Sequence, residues 1–530
     1  MSIQLKKVLI SDAVDETCVQ LLRKHGLQVV CKYKLSQDEL IKEIPDYDAL
    51  IVRSDTKVRA EVLAAATKLR VVGRAGTGVD NIDTEAATRR GVVVLNTPGG
   101  NSISACELTC ALITSLARNV SQGSQSLKEG RWDRKLYTGE ELSGKTLGVL
   151  GLGRIGREVA SRMAAFGMKI VGFDPMVTAG SIPNVEVVSL DEVWPVADYI
   201  TVHTPLIPQT RNLINEANLN KCKKGVKIIN VARGGIVDEK ALLAAVKEGV
   251  CGGAALDVFS EEPPKSPGLL ELIRHPKVLA TPHLGASTAE AQVRVAVEIA
   301  EQFIALNDPS SGYQVTGAVN APSISDLRDP SNTPWLTLGK ALGSVAAKIA
   351  GDIPSWSGLS VDITTKGELT RNMRFLKTAV LSGMLGSQPS TRSNGLNLIN
   401  APLLAEEAGL AVNMRHLSTL ETETVNLVSI AVETKDWKHV VTGTCRGGET
   451  WLLSIDDATF SSGVPFTENT LLYQGSKPSE DCPTLIAELV KAGVVITNMA
   501  VAVGKDVWIS VQTVAPLKKT IEVPNLKAFF

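Results

Sequence analysis

The sequence TLGVLGLGRIGREVA, residues 146–160, joins an apolar run to a helix-like segment through three glycines. TLGVL predicts a buried strand, and REVASRMAAFG, residues 157–167, predicts a helix. Gly151, Gly153 and Gly156 stand between them in the order G-x-G-x-x-G. The first glycine permits a tight turn, the second lets the backbone approach a pyrophosphate, and the third lets helix and strand pack closely. The stretch therefore predicts a Rossmann-type dinucleotide site.

The next apolar run, KIVGF at residues 169–173, ends at Asp174. A carboxylate at this position accepts hydrogen bonds from the adenosine ribose hydroxyls and repels a 2′-phosphate. We therefore expect NAD and not NADP. A second glycine-rich stretch, VVGRAGTGVDN at residues 71–81, has its glycines in the order G-x-x-G-x-G, and no acidic residue ends the strand that follows. It is not a second dinucleotide fingerprint.

Length and composition restrict the remaining possibilities. A chain of 530 residues is expected to form three or four domains. Because 55 Lys+Arg face 56 Asp+Glu, no nucleic-acid or membrane partner is expected. The eight cysteines form no CxxC pair and no Cys/His cluster, which favours reduced thiols and no metal site. The N-terminus does not resemble a signal peptide, so we expect a cytoplasmic protein.

Short apolar runs alternate with helix-like segments from residue 7 to about 285, which is typical of parallel α/β folds. Many of the runs are continuously apolar, as in strands that helices cover on both faces. Ligands of such sheets bind outside the carboxyl ends of the strands. The residues that follow predicted strands are Arg53, Arg74, Gly151, Asp174, His203, Arg233, Asp257 and His283. Periodicity alone leaves open whether they converge.

Beyond this region the pattern changes twice. Two long helical segments, 103–130 and 287–307, are candidates for crossovers between lobes, and residues 307–334 are rich in Pro, Ser, Asn and Asp, which indicates a boundary. A new α/β region is expected to start near Trp335, and the tail is expected to form a small βαββ unit.

An NAD enzyme that oxidises an alcohol needs a base for the hydroxyl proton and a cation that holds the substrate. Histidine is the side chain best suited to act as the base near neutral pH. His25 is better explained as a residue at a helix end, and His416 and His439 lie outside the nucleotide half. His203 and His283, both at strand ends, remain as candidates.

Four motifs together resemble the NAD-dependent D-isomer-specific 2-hydroxyacid dehydrogenases: VLGLGRIGREVA, NVARGGIVDEKAL, AALDVFSEEPP and TPHLGAST. The resemblance covers about residues 5 to 310. It implies a catalytic set of Arg233, Glu262 and His283, with His203 as a structural neighbour of the cofactor. Arg233 would bind the substrate carboxylate and carbonyl in a bidentate manner. Glu262 would fix the tautomer of His283 and raise its pKa, and His283 would take the hydroxyl proton.

The resemblance also implies which residues contact ligands. The expected NAD contacts are Thr77, Gly151, Gly153, Arg154, Ile155, Gly156, Asp174, Thr204, Val231, Ala232, Arg233, Asp257, His283, Leu284, Gly285 and Ala286. The expected substrate contacts are Arg53, Arg74, Arg134, Lys135, Arg233 and His283.

Further motifs resemble one branch of that family, the long animal form that acts on 3-phosphoglycerate. They are LIVRSDTKV, VVGRAGTGVDNID, LNTPGGNSISACELT and RWDRKLYTGEEL. This resemblance spans most of the chain and implies oxidation of 3-phospho-D-glycerate to 3-phosphohydroxypyruvate, the first step of the phosphorylated route to serine. A phosphorylated substrate needs more cations, which Arg53 and Arg74 supply. Arg134 and Lys135 would reach in from a neighbouring subunit, which implies a dimer core and a tetramer.

The implied fold class is α/β, with a Rossmann-type domain inserted in a flavodoxin-like domain. We expect a substrate-binding domain at 1–100 and 286–310, an NAD-binding domain at 101–285, an intervening regulatory α/β domain at 311–460 and an ACT-like α+β domain at 461–530. The tail stretch SKPSEDCPTLIAELVKAGVVITNM lacks the glycine-rich ligand loop of amino-acid-binding ACT domains. We therefore expect the tail to serve assembly more than feedback.

Two alternatives remain open. A non-catalytic NAD(H)-sensing protein of the corepressor type would show a groove for a partner and a disordered tail in place of the arginines and the folded C-terminal third. A glyoxylate/hydroxypyruvate reductase would need neither Arg53 nor Arg134 and would normally end near residue 320.

Overall fold

The computed structural model describes residues 3–351, 356, 358–387, 395–418, 426–467 and 469–515, and the backbone of 526–529. Four sheets follow one another along the chain. The first two are wholly parallel and the last two are mixed and antiparallel respectively. None of the described helices is long and apolar enough to cross a membrane.

The first sheet has the strand order β2-β1-β3-β4-β5, which is the flavodoxin-like order. Its strands are β1 (Lys7–Ile10), β2 (Gln28–Cys31), β3 (Ala49–Val52), β4 (Val71–Arg74) and β5 (Val93–Leu95). The connecting helices are α1 (Glu16–Lys24), α2 (Gln37–Glu43), α3 (Ala60–Ala65) and α4 (Thr84–Arg89). Separate apolar cores lie on the two faces of the sheet, as the continuously apolar strands predict. We call this unit the substrate lobe.

The second sheet has the order β12-β11-β10-β9-β6-β7-β8 and forms the Rossmann-type unit, called the nucleotide lobe below. Its strands are β6 (Thr146–Leu150), β7 (Lys169–Phe173), β8 (Glu186–Val187), β9 (Tyr199–Val202), β10 (Val226–Asn230), β11 (Cys251–Leu256) and β12 (Val278–Ala280). Its helices are α7 (Arg154–Ala165), α8 (Leu190–Val193), α9 (Glu216–Leu219), α10 (Glu239–Glu248) and α11 (Pro267–Arg274). The strand order reverses between β6 and β9, which is where an open parallel sheet forms its ligand crevice.

Three helices connect the two lobes: α5 (Ser102–Arg118), α6 (Val120–Lys128) and α12 (Ala289–Asn307). The sequence predicts one long helical segment over residues 103–130. The structure instead divides it at Asn119, which adopts a left-handed conformation with φ 52°. Asparagine is one of the few residues that tolerates this conformation, so the chain turns there and α6 leaves in a new direction.

The Pro- and Asn-rich segment after α12 returns to the substrate lobe. Gly317 and Val319 form backbone hydrogen bonds with Asn96 and Val94 beside β5. Val315, Ala321 and Ile324, at the start of α13 (Ile324–Arg328), belong to the core of that lobe. The composition of this segment indicates a boundary, but its apolar side chains attach it to the first sheet.

The third sheet has the order β14-β13-β15-β16-β17-β18 and is covered by two helices. Its strands are β13 (Ser360–Lys366), β14 (Ala411–Leu417), β15 (Leu427–Glu433), β16 (Lys438–Arg446), β17 (Glu449–Ile455) and β18 (Ala458–Pro465). The helices of this region are α14 (Thr333–Ile349), α15 (Phe375–Gly386) and α16 (Ala401–Glu407). A Cβ atom on Gly343 would lie 2.2 Å from the Val380 carbonyl oxygen, so only glycine lets α14 and α15 approach this closely.

The fourth sheet, with the order β20-β21-β19-β22, ends the chain. It consists of β19 (Thr470–Gly475), α17 (Pro478–Lys491), β20 (Ile496–Val503), β21 (Val507–Thr513) and β22 (Leu526–Phe529). The first four elements follow the predicted βαββ order. Leu472, Ala502 and Trp508 belong to the core that lies between the third sheet and its helices, so the tail packs against this third unit.

The third unit also contacts the substrate lobe directly. Asn397 and Asn400 donate to the carbonyl oxygens of Gly91 and Arg89, both at 3.2 Å, and Arg89 forms an ion pair with Glu407. Ile399 lies in the core of the substrate lobe. The C-terminal half of the chain is therefore docked on the lobe that carries Arg53 and Arg74.

Candidate active site

The glycine loop between β6 and α7 has the geometry that a dinucleotide needs. Gly151 has φ 96°, and a Cβ atom there would lie 2.6 Å from the carbonyl oxygen of His203 on the adjacent strand. On Gly156 it would lie 2.0 Å from the carbonyl oxygen of Gly151. On Gly153 it would meet nothing within 4 Å, and no side chain caps the helix that begins at Arg154. The first amides of α7 therefore face open space where a pyrophosphate fits.

Asp174 sits just beyond the end of β7 and is partly buried. Its Oδ2 accepts from the amide of Leu152 at 2.9 Å, and its Oδ1 accepts from the amide of Met176 at 2.8 Å. These bonds hold the carboxylate beside the glycine loop, where the ribose of a bound dinucleotide lies.

Two threonine hydroxyls, of Thr204 and Thr77, belong to the predicted NAD contacts. The hydroxyl of Thr204, directly after His203, is buried and has no partner. Thr77 also lines the cleft between the lobes, and its hydroxyl donates to the Thr97 carbonyl oxygen at 3.2 Å and contacts Asn101. The buried Thr204 hydroxyl lacks a hydrogen-bond partner, and a ligand bound at the glycine loop could supply one.

Asp257, after β11, organises the loop that carries the predicted base. Its carboxylate accepts from Thr281 Oγ1 at 2.6 Å and from the amides of Leu284 and Gly285 at 2.7 and 2.8 Å. Burial raises the pKa of Asp257, although these hydrogen bonds oppose that shift. His283 itself has φ 56°, a left-handed conformation that is uncommon outside glycine. The Asp257 carboxylate thus holds the loop after β12 by its backbone and by Thr281, and the His283 side chain remains about half exposed.

His283 and Glu262 meet in the cleft. His283 Nδ1 lies 2.7 Å from Glu262 Oε2, and Glu262 Oε1 accepts from the amide of Phe259 at 3.0 Å. Burial acts to raise the pKa of Glu262, but the hydrogen bonds from His283 and Phe259 outweigh it and the pKa is lowered. Glu262 is therefore a carboxylate at neutral pH, which is the state needed to hold the imidazole in one tautomer.

Arg233 follows β10, where Asn230 shapes the turn by donating to the Arg233 carbonyl oxygen and accepting from the amide of Ala232. The Arg233 guanidinium forms an ion pair with Asp80 of the substrate lobe at 3.0 Å. A Cβ atom on Gly78 would clash with the Arg233 side chain, so the two lobes approach closely here. Val231, before this turn, is buried and lies 3.3 Å from the position that a Cβ atom would take on Gly285.

Arg53, Arg74 and Arg233 line one cleft of about 510 Å³ together with Glu262 and His283. Arg74 donates to the Gly78 carbonyl oxygen and to Ser54 Oγ. Burial and then the charge of Arg233 lower the pKa of Arg74 to about 10, and burial also lowers that of Arg53. Burial and mutual repulsion both disfavour the charged arginines. An anionic ligand would offset both effects, so the cleft favours an anion.

His203, the other candidate base, lies at the end of β9. Its Nε2 is 3.0 Å from Thr201 Oγ1, and burial lowers its pKa to about 4. The ring is therefore neutral at physiological pH and does not line the cleft that contains the arginines. Its backbone lies beside the glycine loop, since a Cβ atom on Gly151 would be 2.6 Å from the His203 carbonyl oxygen.

The structure does not bring every predicted site residue together. Arg134 and Lys135 are exposed on the segment after α6, and neither lines the cleft. Arg154 is exposed at the start of α7, and Leu284 is 40% exposed on the His283 loop. Ile155 and Ala286 are partly buried, and Ala286 lines the cleft.

The cleft also contains residues that the sequence analysis missed. Among the polar ones are Lys57, Asp80, Asn101 and Gln292. Lys57 and Asp80 each lie a few residues beyond an arginine that was predicted, and Gln292 lies in the helix that follows TPHLGAST. Scanning the residues beyond each strand-end motif, and not the motif alone, would have found them.

Within the described residues no group of three or more His, Cys, Asp or Glu side chains could hold a metal ion. The structure brings together a glycine loop of the dinucleotide-binding type, cationic side chains and a histidine–carboxylate pair. This combination defines a nicotinamide-dependent dehydrogenase of the D-isomer-specific 2-hydroxyacid type. Residues 110–285 match the family model described as "D-isomer specific 2-hydroxyacid dehydrogenase, NAD binding domain".

Similar proteins define the family more narrowly. Residues 332–455 match the model of the D-3-phosphoglycerate dehydrogenase intervening domain. D-3-phosphoglycerate dehydrogenase of Rattus norvegicus is 47% identical over 500 residues, which cover 92% of this chain and 91% of the rat protein. The Homo sapiens enzyme is 46% identical over 95% of this chain and 93% of its own length. The chain belongs to the D-3-phosphoglycerate dehydrogenase family.

Solved structures match slightly more than half of this chain. D-lactate dehydrogenase of Aquifex aeolicus, solved with NAD and lactic acid, is 27% identical with a TM-score of 0.52. The match covers 57% of this chain and 95% of that protein. The rest of this chain has no counterpart in that shorter dehydrogenase.

Proposed function

We propose that the chain catalyses the NAD-dependent oxidation of 3-phospho-D-glycerate to 3-phosphohydroxypyruvate, the first step of the phosphorylated pathway of serine biosynthesis. The observation that carries the proposal is one cleft that holds Arg53, Arg74 and Arg233 beside the Glu262–His283 pair. The arginines suit a substrate with both a carboxylate and a phosphate, and the pair suits proton transfer from a hydroxyl group.

Arg233 is proposed to bind the substrate carboxylate and the oxygen on the reacting carbon. It follows β10 and lines the same cleft as His283, and its fork of donors matches a planar carboxylate. Arg53 and Arg74 lie on the opposite, substrate-lobe wall and would bind the phosphate. Two anionic groups held from opposite walls fix the reacting carbon between the lobes.

His283 is proposed to take the hydroxyl proton. Its Nδ1 faces Glu262, so Nδ1 carries the proton and Nε2 is the basic nitrogen available to the substrate. Glu262 stabilises the imidazolium that forms, and it can do so because its own pKa is low enough to keep it ionised. The glycine loop would hold NAD, which would supply the acceptor for the hydride from the carbon that bears this hydroxyl.

The NAD contacts remain those predicted from the sequence: Thr77, Gly151, Gly153, Arg154, Ile155, Gly156, Asp174, Thr204, Val231, Ala232, Arg233, Asp257, His283, Leu284, Gly285 and Ala286. The uncapped start of α7 and the unpartnered Thr204 hydroxyl support this assignment.

The test is the rate of NADH formation with 3-phosphoglycerate, glycerate and 2-hydroxyglutarate in parallel, under conditions that remove the product. We expect kcat/KM for 3-phosphoglycerate to exceed that for glycerate by about 10² or more, because glycerate leaves the partly buried Arg53 and Arg74 without an anionic partner. Equal turnover of glycerate would contradict a phosphate-binding role for Arg53 and Arg74.

We also propose a homo-oligomer with a dimer core, assembling to a tetramer, in which Arg134 and Lys135 reach the substrate of a neighbouring subunit. Three of the exposed side chains around them are large and apolar: Trp132 is 80% exposed, Leu136 71% and Leu127 58%. Large exposed apolar side chains beside cations suit a subunit interface whose charged residues point into a partner's cleft.

Mixing two inactive variants tests this arrangement. In a hybrid dimer of His283→Gln and Arg134→Ala/Lys135→Ala subunits, one site combines an intact His283 with the intact cations of its neighbour. Recovered activity on mixing supports action between subunits. No recovery, with native mass spectrometry of differently tagged subunits showing that hybrids form, would place Arg134 and Lys135 in their own subunit's site.

The domain division at 1–100 with 286–310, 101–285, 311–460 and 461–530 is part of the proposal, as is an ACT-like tail that serves assembly. Its support is the succession of four sheets, with the fourth packed against the third. We propose the cytoplasm as the compartment, because all eight cysteines are free thiols, as reducing conditions maintain them.

A further inference from the structure

Gln292 lies in the first turn of α12, is partly buried and lines the cleft. Its amide makes two contacts. Oε1 accepts from the Arg53 guanidinium, and Nε2 donates to the carbonyl oxygen of Ala286 at 2.7 Å. Arginine only donates and a carbonyl oxygen only accepts, so these partners fix which end of the amide faces which.

The two partners of the Gln292 amide belong to different parts of the site. Arg53 directly follows β3 of the substrate lobe. Ala286 belongs to the loop after β12, three residues beyond His283. One side chain on the crossover helix therefore contacts both an anion-binding arginine and the loop that presents the base.

The main chain of Arg53 is held independently of Gln292. Its amide donates to the buried carboxylate of Asp12 at 2.6 Å, and its carbonyl oxygen accepts from Asn81 Nδ2 at 2.7 Å. Thr56 binds the same carboxylate, with its hydroxyl at 2.6 Å. With the backbone fixed, the position of the guanidinium depends on the side-chain torsions, and among the described contacts Gln292 is the side chain that binds it.

We propose that Gln292 is a positioning residue, which holds one arm of the Arg53 guanidinium so that the remaining donors point into the cleft toward the anionic group of the substrate. The inference rests on the proposed function. An arginine oriented in advance loses less rotamer freedom when the substrate binds, which strengthens binding. The hydrogen bond to Ala286 keeps the Gln292 amide in place and prevents it from rotating.

Gln292→Met is the first test, because methionine has a similar length and cannot make either hydrogen bond. We expect the KM for 3-phosphoglycerate to rise about tenfold with kcat within about twofold, since binding is lost equally in the ground and transition states. Glu290→Gln, an exposed substitution in the same helical turn, is the matched control and should change neither constant.

Gln292→Glu is the second variant. It keeps an acceptor for Arg53, but its charge competes with the substrate anion for the guanidinium and faces the Ala286 carbonyl oxygen. We expect a KM increase at least as large as for Gln292→Met, decreasing with added salt because screening weakens the new ion pair. NADH binding followed by fluorescence, together with Tm, shows that each variant is folded. If Gln292→Met does not fold, Gln292→Glu carries the test.

A double-mutant cycle distinguishes positioning from a general structural effect. If Gln292 acts through Arg53, adding Gln292→Met to Arg53→Met leaves the KM of the single Arg53→Met variant unchanged. The same multiplicative increase in both backgrounds, an unchanged KM in Gln292→Met, or a lower kcat at unchanged KM would overturn the inference. A wild-type protein that does not turn over 3-phosphoglycerate would refute the proposed function instead.

Discussion

His283 Nδ1 lies 2.7 Å from Glu262 Oε2, although the two residues are twenty-one positions apart in the chain. Both follow adjacent parallel strands, β11 and β12, so the carboxyl ends of these strands bring their loops together. The Phe259 amide holds the glutamate, and the Asp257 carboxylate and carbonyl oxygen hold the loop that carries the histidine. The pair is fixed by its surroundings before any substrate arrives, which suits proton transfer.

Replacing Glu262 with Gln should lower kcat by about 10² while leaving NADH binding intact. The neutral amide retains the shape of the side chain but no longer stabilises an imidazolium or selects one imidazole tautomer. Steady-state kinetics with 3-phosphoglycerate would measure the loss. Glu261→Gln, an exposed neighbour outside the cleft, is the matched control. An unchanged kcat in Glu262→Gln would exclude a role for the carboxylate in proton transfer.

Replacing His283 with Gln should lower turnover by about 10² to 10⁴, the usual contribution of a general base. Glutamine cannot accept a proton at neutral pH, whereas the contacts of Asp257 with the loop backbone remain. Fluorescence titration should show that NADH still binds. His275→Gln, at the end of α11, provides a histidine substitution outside the cleft. Full activity in His283→Gln would exclude His283 as the base.

The sheet structure was largely predictable because it depends on local patterns. Continuously apolar runs bounded by glycine or polar residues predict parallel strands covered on both faces, and the first two sheets are of this kind. The break at Asn119 was not predictable in this way, because Asn is merely a weak helix former and its left-handed conformation depends on where α5 must end against the nucleotide lobe.

The strand-end pattern predicted Arg53, Arg74, Arg233 and His283, whereas Glu262 was implied by the family resemblance. Arg53, Arg74, Arg233, Glu262 and His283 all line the cleft. Gln292 lies inside a helix, where its position resembles that of any solvent-facing glutamine, and Asp80 reaches Arg233 from the other lobe. The placement of Arg134 and Lys135 depends on a second chain, so a single sequence shows their charge but not where they act.

Replacing Asp174 with Asn should relax the preference for NAD. The amide oxygen can still accept from the Leu152 amide, but the charge that repels a 2′-phosphate is removed. We expect the ratio of kcat/KM for NADP to that for NAD to rise about tenfold or more. Asp198→Asn is the control. Asp198 accepts from the Thr146 amide at 2.8 Å at the amino ends of the strands, away from the glycine loop at their carboxyl ends. Unchanged discrimination would show that the ribose contact lies elsewhere.

His203 should make the stability of the protein depend on pH in a defined window. Burial lowers its pKa from 6.5 to about 4, so the folded ring stays neutral while the unfolded ring binds a proton below about pH 6.5. The unfolded state then gains the proton, and stability is lost as pH falls from about 6.5 toward 4. Between pH 7 and pH 5 the loss from this residue is up to about 2 kcal/mol. Urea denaturation of the wild type and of His203→Gln at both pH values would measure it, since the variant lacks this contribution and should lose less stability on acidification. Equal losses in the wild type and the variant would mean that the His203 ring becomes charged in the folded protein. The proposal that His203 is a neutral neighbour of the cofactor would then be wrong.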